Sequence, residues 1–108
     1  MALPAEIISL AAQVVDDLRA RGETISTAES LTAGAVSSVI VTIAGASDVF
    51  VGGTTAYRDE IKISHLGVDP ALIAKHSAIS EEVAVAMARC VEIFWINMGN
   101  RHHRSCRT

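Results

Sequence analysis

The segment Thr24–Gly34, TISTAESLTAG, decides the fold because its character changes within a few residues. Its first part is rich in β-branched residues, which predicts a short strand over residues 24–28. Small and apolar residues follow, and they predict a helix over residues 31–44 that stops at Gly45. A strand, a tight turn and a helix in this order favour a layered α/β fold.

The rest of the chain continues this alternation of helices and strands. Apolar residues at three- and four-residue steps predict amphipathic helices, and a Gly52-Gly53 pair within a second strand indicates a bulge or a close approach to the backbone. The predicted elements are a helix from Pro4 to Gly22, a strand over Val49–Tyr57, short helices over Asp59–Leu66 and Ala71–Lys75, and a last helix with Ser80 as its N-cap. The predicted fold class is therefore α/β, with helices layered on a small sheet.

Length and composition agree with one domain. The chain has 108 residues, half of them apolar, which suits one hydrophobic core. We divide it into a domain over residues 1–98 and a basic, disordered tail over residues 99–108. The longest apolar stretch, Ala33 to Ala46, is shorter than the roughly 20 residues that a bilayer requires, so no membrane span is expected. The opening residues lack the pattern of a secretory signal, and we expect a cytoplasmic protein.

Charge and cysteine content limit the partners and cofactors. The formal net charge of −3 is too small to indicate a nucleic-acid surface. Cys90 and Cys106 do not form a disulfide framework, and both are expected to be thiols. His102, His103 and Cys106 lack the spacing of a metal site, so neither a metal nor another cofactor is expected.

Ser30 is the first candidate for chemistry. It lies at the junction of a strand end and a helix start, where backbone N–H groups favour anions and oxyanions. A serine in this position is a nucleophile if a base removes its proton. The same position suits a helix N-cap, which is the commoner use of serine. Position alone leaves both interpretations open.

Lys62 and Tyr57 are the candidate partners of this serine. The sequence has no Gly-x-Ser-x-Gly elbow and no histidine near Ser30, which leaves a lysine as the candidate base. An ammonium group cannot accept a proton, so this role requires the neutral amine. The alternative is a solvated surface lysine. Tyr57 lies at the end of the second predicted strand. It orients the lysine or relays a proton, or it is an exposed strand-end aromatic.

Three blocks of the sequence, in the same order, resemble the CinA carboxy-terminal domain family. TAESLTAG, residues 27–34, is similar to the family's TAESCTGG. IAGASDVFVGGTTAYRDEIKISHLGV, residues 43–68, is similar to a block in which a strand ends at Tyr and a Lys follows, and HSAISEEVAVAMA, residues 76–88, resembles the family's next helix start. The resemblance covers about residues 5–89, which is more than a single motif provides.

The resemblance implies a nicotinamide-nucleotide amidase of pyridine-nucleotide salvage, within NAD metabolism. Such a hydrolase converts nicotinamide mononucleotide and water to nicotinic acid mononucleotide and ammonia. By position, Ser30 matches the nucleophile, Lys62 the general base and Tyr57 a proton relay or orienting group. The residues that match the lining of the substrate pocket are Glu29, Thr32 and Gly34. The implied partner is a small nucleotide substrate, no metal or other cofactor is implied, and a homo-oligomer is expected.

The chain departs from the family pattern in two places. Leu31 and Ala33 stand where the family has Cys and Gly, so the turn after Ser30 is bulkier. After about Arg89 the family's glycine-rich loop and last strands do not follow, and we expect a truncated domain whose sheet has exposed edges. The alternative function is therefore non-catalytic: a truncated family member that self-associates or binds a full-length partner.

Overall fold

The computed structural model describes residues 3–100, with side chains described as far as residue 93. Its elements follow the predicted alternation of helices and strands. They are, in chain order, α1 (Ala5–Arg21), β1 (Ile25–Glu29), α2 (Ala35–Val41), a 3-10 turn (Ala46–Asp48), β2 (Phe50–Thr55), α3 (Asp59–Ile61), a π-helical turn (Lys62–Leu66), α4 (Pro70–His76) and α5 (Glu81–Asn100). The α/β class is confirmed. Residues 101–108, most of the predicted tail, lie outside the described residues.

β1 and β2 form a parallel sheet, which has two strands in the described part of the chain. Their register shifts between Ile25 and Ser26, which marks an irregular start of the pairing. Further along, Gly53 packs so closely that a Cβ at this position would lie 2.6 Å from the Ser37 hydroxyl. The close approach expected of the Gly52-Gly53 pair is therefore confirmed.

Helices cover both faces of the sheet, because neighbouring residues of a strand point to opposite faces. Ala28 packs on the side of α5, whereas Thr27 contacts α2. The α5 cluster consists of the buried residues Ala56, Leu66, Val68, Val83, Met87, Cys90 and Val91. The α1 cluster consists of the buried residues Val15, Ile40, Ala46 and Val49. The described chain thus has two small cores with a two-stranded sheet between them.

Two predicted elements are shorter in the structure. Ala33 and Gly34 adopt left-handed conformations, with φ of 50° and 97°, so residues 31–34 form a turn and α2 begins only at Ala35. The helix predicted over residues 31–44 is therefore wrong at its start, because an α-helix requires negative φ throughout. The second strand ends at Thr55, and Tyr57 lies two residues beyond it rather than at its end.

The start of α5 agrees with its predicted cap. The Ser80 hydroxyl accepts a hydrogen bond from the Val83 backbone N–H at 3.3 Å and donates one to the Ser77 carbonyl oxygen at 2.8 Å. A side-chain oxygen in this position satisfies one of the backbone N–H groups that a helix start leaves without a partner. Ser80 therefore fixes the end of α5 that lies nearest to the site described next.

Two findings bear on the expected environment of the chain. None of the helices within residues 3–100 is long and apolar enough to cross a membrane. Cys90 is buried in the α5 cluster, whereas Cys106, the second cysteine expected to be a thiol, lies outside the described residues.

Candidate active site

Ser30 directly follows β1 and lines a cavity of about 230 Å³ between the end of this strand and the start of α5. The lining residues are Ala28, Ser30, Leu31, Ala78, Ile79, Ser80, Ala84 and Met87. Two of them are unusually exposed for large apolar side chains: Leu31 is 89% exposed and Ile79 is 94% exposed. The serine hydroxyl is therefore half-buried at an open, largely apolar cavity.

Ser30 is not the cap of the following helix. The N-cap of α2 is Gly34, which has no side chain to bond the helix start. The Glu29 carboxylate instead bonds the backbone N–H groups at the start of α2. It accepts hydrogen bonds from the backbone N–H groups of Val36 and Ser37, at 2.8 and 3.1 Å. The capping interpretation of Ser30 is thus wrong, and these two N–H groups are occupied rather than available to an oxyanion.

Glu29 is almost fully buried, with 6% of its surface exposed, and is held by four hydrogen bonds. Besides the two backbone groups, the hydroxyls of Thr32 and Ser37 each donate to it at 2.7 Å. Burial by itself would raise the pKa of this carboxyl, but the hydrogen bonds to its charged form outweigh burial and lower the pKa from 4.5 to about 2. Glu29 is therefore a carboxylate across the physiological pH range.

A second hydroxyl extends this network. Thr27 Oγ1 lies 2.6 Å from Ser37 Oγ. The Ser37 proton is directed to the acceptor-only carboxylate of Glu29, so Thr27 must donate to Ser37. The absence of a side chain at Gly53 leaves room for this pair of hydroxyls. One polar network therefore joins β1, the turn after Ser30 and the first turn of α2.

Lys62 is buried, with only 3% of its surface exposed. Its Nζ donates a hydrogen bond to the backbone carbonyl oxygen of Tyr57 at 2.9 Å and lies 3.6 Å from Oδ1 of Asp59. The interpretation of Lys62 as a solvated surface residue is therefore wrong. Tyr57 is 67% exposed, and its contact with the lysine is made by its main chain.

Strand pairing brings the candidate residues to one edge of the sheet. Glu29 is in register with Thr55, and the Ala56 N–H donates to the Glu29 carbonyl oxygen at 2.8 Å. Because paired parallel strands lie roughly 4.8 Å apart, the chain leaves β1 at Ser30 beside the point where it leaves β2. Lys62 contacts the chain just after β2, because its Nζ donates a hydrogen bond to the Tyr57 carbonyl oxygen. Ser30 lines the cavity described above, whereas Tyr57 and Lys62 lie outside its lining.

Comparison with known proteins shows the family of this chain. Residues 7–95 match the model of the CinA C-terminal domain family. The chain belongs to this family. The CinA match reaches residue 95, beyond residue 89 where the sequence resemblance was expected to end.

Individual CinA relatives show how much of a longer protein this chain corresponds to. It is 51% identical over 80 residues to a CinA-like protein of Kosmotoga olearia, which covers 74% of this chain and 19% of the relative. The crystal structure of a competence/damage-inducible protein from Agrobacterium tumefaciens has a TM-score of 0.77 and 35% identity, covering 82% of this chain and 54% of that chain. The corresponding protein from Enterobacter asburiae has a TM-score of 0.79 and 26% identity, covering 82% and 55%. The chain thus spans about a fifth of the length of the Kosmotoga olearia protein and about half of the length of each of the two crystallised proteins.

Two further residues of the CinA pattern lie in the turn after Ser30. Thr32 is exposed and donates to Glu29, and Gly34 is the N-cap of α2 and has a positive φ. The departure from the CinA pattern at Ala33 also has a visible consequence. Ala33 has a φ of 50°, a conformation that glycine adopts without strain and alanine does not.

Three residues that shape the site have little or no signal in the sequence. Asp59 carries a weak signal, because it lies three residues before Lys62 on a helical turn and such pairs face each other. Ser37 has no sequence signal, since its contact with Glu29 depends on the turn over residues 31–34. The exposure of Ile79 is likewise visible only in the folded chain. Within the described residues, no cluster of three or more His, Cys, Asp or Glu side chains has the geometry of a metal site.

Proposed function

We propose that this chain carries the nucleophile and the lysine of a nicotinamide-nucleotide amidase. The observation that carries the proposal is the pairing of β1 with β2, which brings the end of β1 before Ser30 beside the end of β2, where Lys62 bonds to the Tyr57 carbonyl oxygen. Membership of the CinA family supports the transfer of roles to these three positions. The burial of Lys62 supports a specific role for it rather than a solvated one.

The proposed reaction proceeds through an acyl-enzyme. Ser30 Oγ attacks the carboxamide carbon of nicotinamide mononucleotide while its proton passes to neutral Lys62, directly or through the Tyr57 hydroxyl. The carbon–nitrogen bond then breaks, and the leaving nitrogen takes up that proton and departs as ammonia. Water hydrolyses the remaining ester, which releases nicotinic acid mononucleotide and restores the serine. Thr32 and Gly34 are proposed to contact the substrate beside the cavity at Ser30.

Ammonia release from nicotinamide mononucleotide tests this proposal. We expect the purified chain to release ammonia and to form nicotinic acid mononucleotide, and we expect Ser30→Ala to abolish both. Ser38→Ala is a matched control, because Ser38 is a nearby serine with an exposed position on α2. Well-folded protein without ammonia release, or equal rates in Ser30→Ala and the unaltered chain, would remove the proposal.

A second candidate function is association without catalysis, either with another copy or with a longer relative. Two observations favour it. Each strand of the described sheet has one edge that no other described strand pairs, and such edges invite association. Leu31 and Ile79 also project large apolar side chains from the cavity rim. We expect sedimentation velocity to show a dimer or larger species that Ile79→Asp weakens, and a monomer at every concentration would exclude self-association.

A further inference from the structure

Glu29 and Ser30 are consecutive residues that point in opposite directions. Ser30 lines the cavity on the α5 side, together with Ala28 two positions earlier. The Glu29 carboxylate instead points to the start of α2, where it meets Val36 and Ser37. This is the alternation expected at the end of a strand. The contacts that hold the Glu29 side chain at α2 therefore restrain the backbone directly before Ser30.

The turn after Ser30 needs an external restraint. It contains two consecutive left-handed residues, one of them the alanine Ala33, and such conformations persist only where the surroundings impose them. Glu29 lies before this turn and forms hydrogen bonds with Thr32 within the turn and with Ser37 after it. Its carboxylate thereby connects the end of β1 to the start of α2 across the turn.

The contacts of Glu29 also require a carboxylate rather than a neutral amide. Its Oε2 atom accepts from both the backbone N–H and the hydroxyl of Ser37, at 3.1 and 2.7 Å. In Glu29→Gln, an amide NH₂ group in this position would face the Ser37 N–H, and two donors cannot bond each other. If the amide is turned round, the same conflict arises at the Val36 N–H. The substitution keeps the size of the side chain and breaks one half of the network.

From this geometry we infer that Glu29 is a positioning residue, which acts through Thr32 and Ser37 to hold Ser30 at the cavity in an attacking orientation. The inference rests on the proposed function for the role of Ser30 as a nucleophile. The low pKa of Glu29 supports it, because the carboxylate stays charged wherever the enzyme would work. Glu29 was expected to contact the substrate, and the proposal gives it a different task on the opposite face of the strand.

The rate at which a fluorophosphonate probe modifies Ser30 tests the inference without any substrate. In this step Ser30 Oγ forms a bond to phosphorus, the phosphorus–fluorine bond breaks, fluoride leaves and the serine proton passes to a base or to solvent. We expect Glu29→Gln to lower the maximal rate of modification by about tenfold to a hundredfold, since small misplacements of a nucleophile cost rates of this order. The probe concentration that gives half the maximal rate should be unchanged.

Three control variants and one further test variant separate positioning from loss of stability. Glu23→Gln removes an exposed carboxylate near β1, and Val15→Ala weakens the α1 cluster, which contains no member of the Glu29 network. In both variants, the probe should modify Ser30 at the rate measured for the unaltered chain. Ser37→Ala removes one donor to Glu29 and should slow modification, whereas Ser38→Ala, its exposed neighbour on α2, should not. The Ser37/Ser38 pair provides the test if Glu29→Gln fails to fold.

The outcomes distinguish this inference from the proposed function. Modification of Ser30 that depends on Glu29 and Ser37, without ammonia release from nicotinamide mononucleotide, would reject the amidase and retain the positioning role. Equal rates in the unaltered chain, Glu29→Gln and Ser37→Ala would overturn the inference. Failure of the unaltered chain to be modified at Ser30 would also overturn it, because no reactive serine would then be held in place.

Discussion

Acidification should destabilise this chain chiefly through Glu29. The folded chain lowers the pKa of this carboxyl from 4.5 to about 2, so the folded state favours the charged form. The resulting stabilisation is fully present above pH 4.5 and is lost as the pH falls through about 2. A pKa difference of this size corresponds to roughly 3 kcal/mol, at about 1.4 kcal/mol for each pH unit. Because the free energy of unfolding of a small domain is roughly 5 to 15 kcal/mol, the loss of this stabilisation is a large share of the total.

Urea unfolding between pH 7 and pH 2, followed by circular dichroism, measures this effect. We expect the free energy of unfolding of the unaltered chain to fall steeply below pH 4.5, and that of Glu29→Gln to start lower and fall less. The difference between the two should shrink by roughly 3 kcal/mol over this range. Glu23→Gln is the control and should follow the unaltered chain. Parallel curves for the unaltered chain and Glu29→Gln would refute the argument that the four hydrogen bonds stabilise the charged carboxylate.

Three further substitutions test individual features of the fold. Ala33→Gly should raise the free energy of unfolding by about 1 kcal/mol in thermal or urea unfolding, because Ala33 has a φ of 50° and glycine tolerates it. An unchanged free energy of unfolding would contradict the left-handed conformation of Ala33. Gly53→Ala should cost about 1 to 3 kcal/mol in the same assay, since the added Cβ would meet the hydroxyls of Thr27 and Ser37, and an unchanged free energy of unfolding would contradict this close packing. Ser80→Ala should cost about 1 kcal/mol through loss of the α5 cap, measured by the same unfolding assay, and an unchanged midpoint would argue against the cap.

Much of the fold could be predicted because it depends on local patterns. The periodicity of α1 and its end at Gly22, the strand before Ser30, and the cap at Ser80 all follow from neighbouring residues. The start of α2 could not be predicted in this way. Residues 31–34 have helical composition, but the Glu29 carboxylate bonds to Val36 and Ser37 and leaves these residues as a turn. A contact between residues seven or eight positions apart thus overrode local propensity.

The sequence by itself determined the CinA family, the α/β class and the identity of Ser30, Tyr57 and Lys62 as candidates, because these follow from residue types and their order. The tertiary structure alone decided where these side chains lie. Pairing of β1 with β2 brought Ser30 beside the segment that holds Lys62, and folding buried the lysine against the Tyr57 carbonyl. It also directed Glu29 away from the cavity and into a network that lowers its pKa. Burial, direction and hydrogen bonding depend on contacts between distant parts of the chain, and a linear pattern does not contain them.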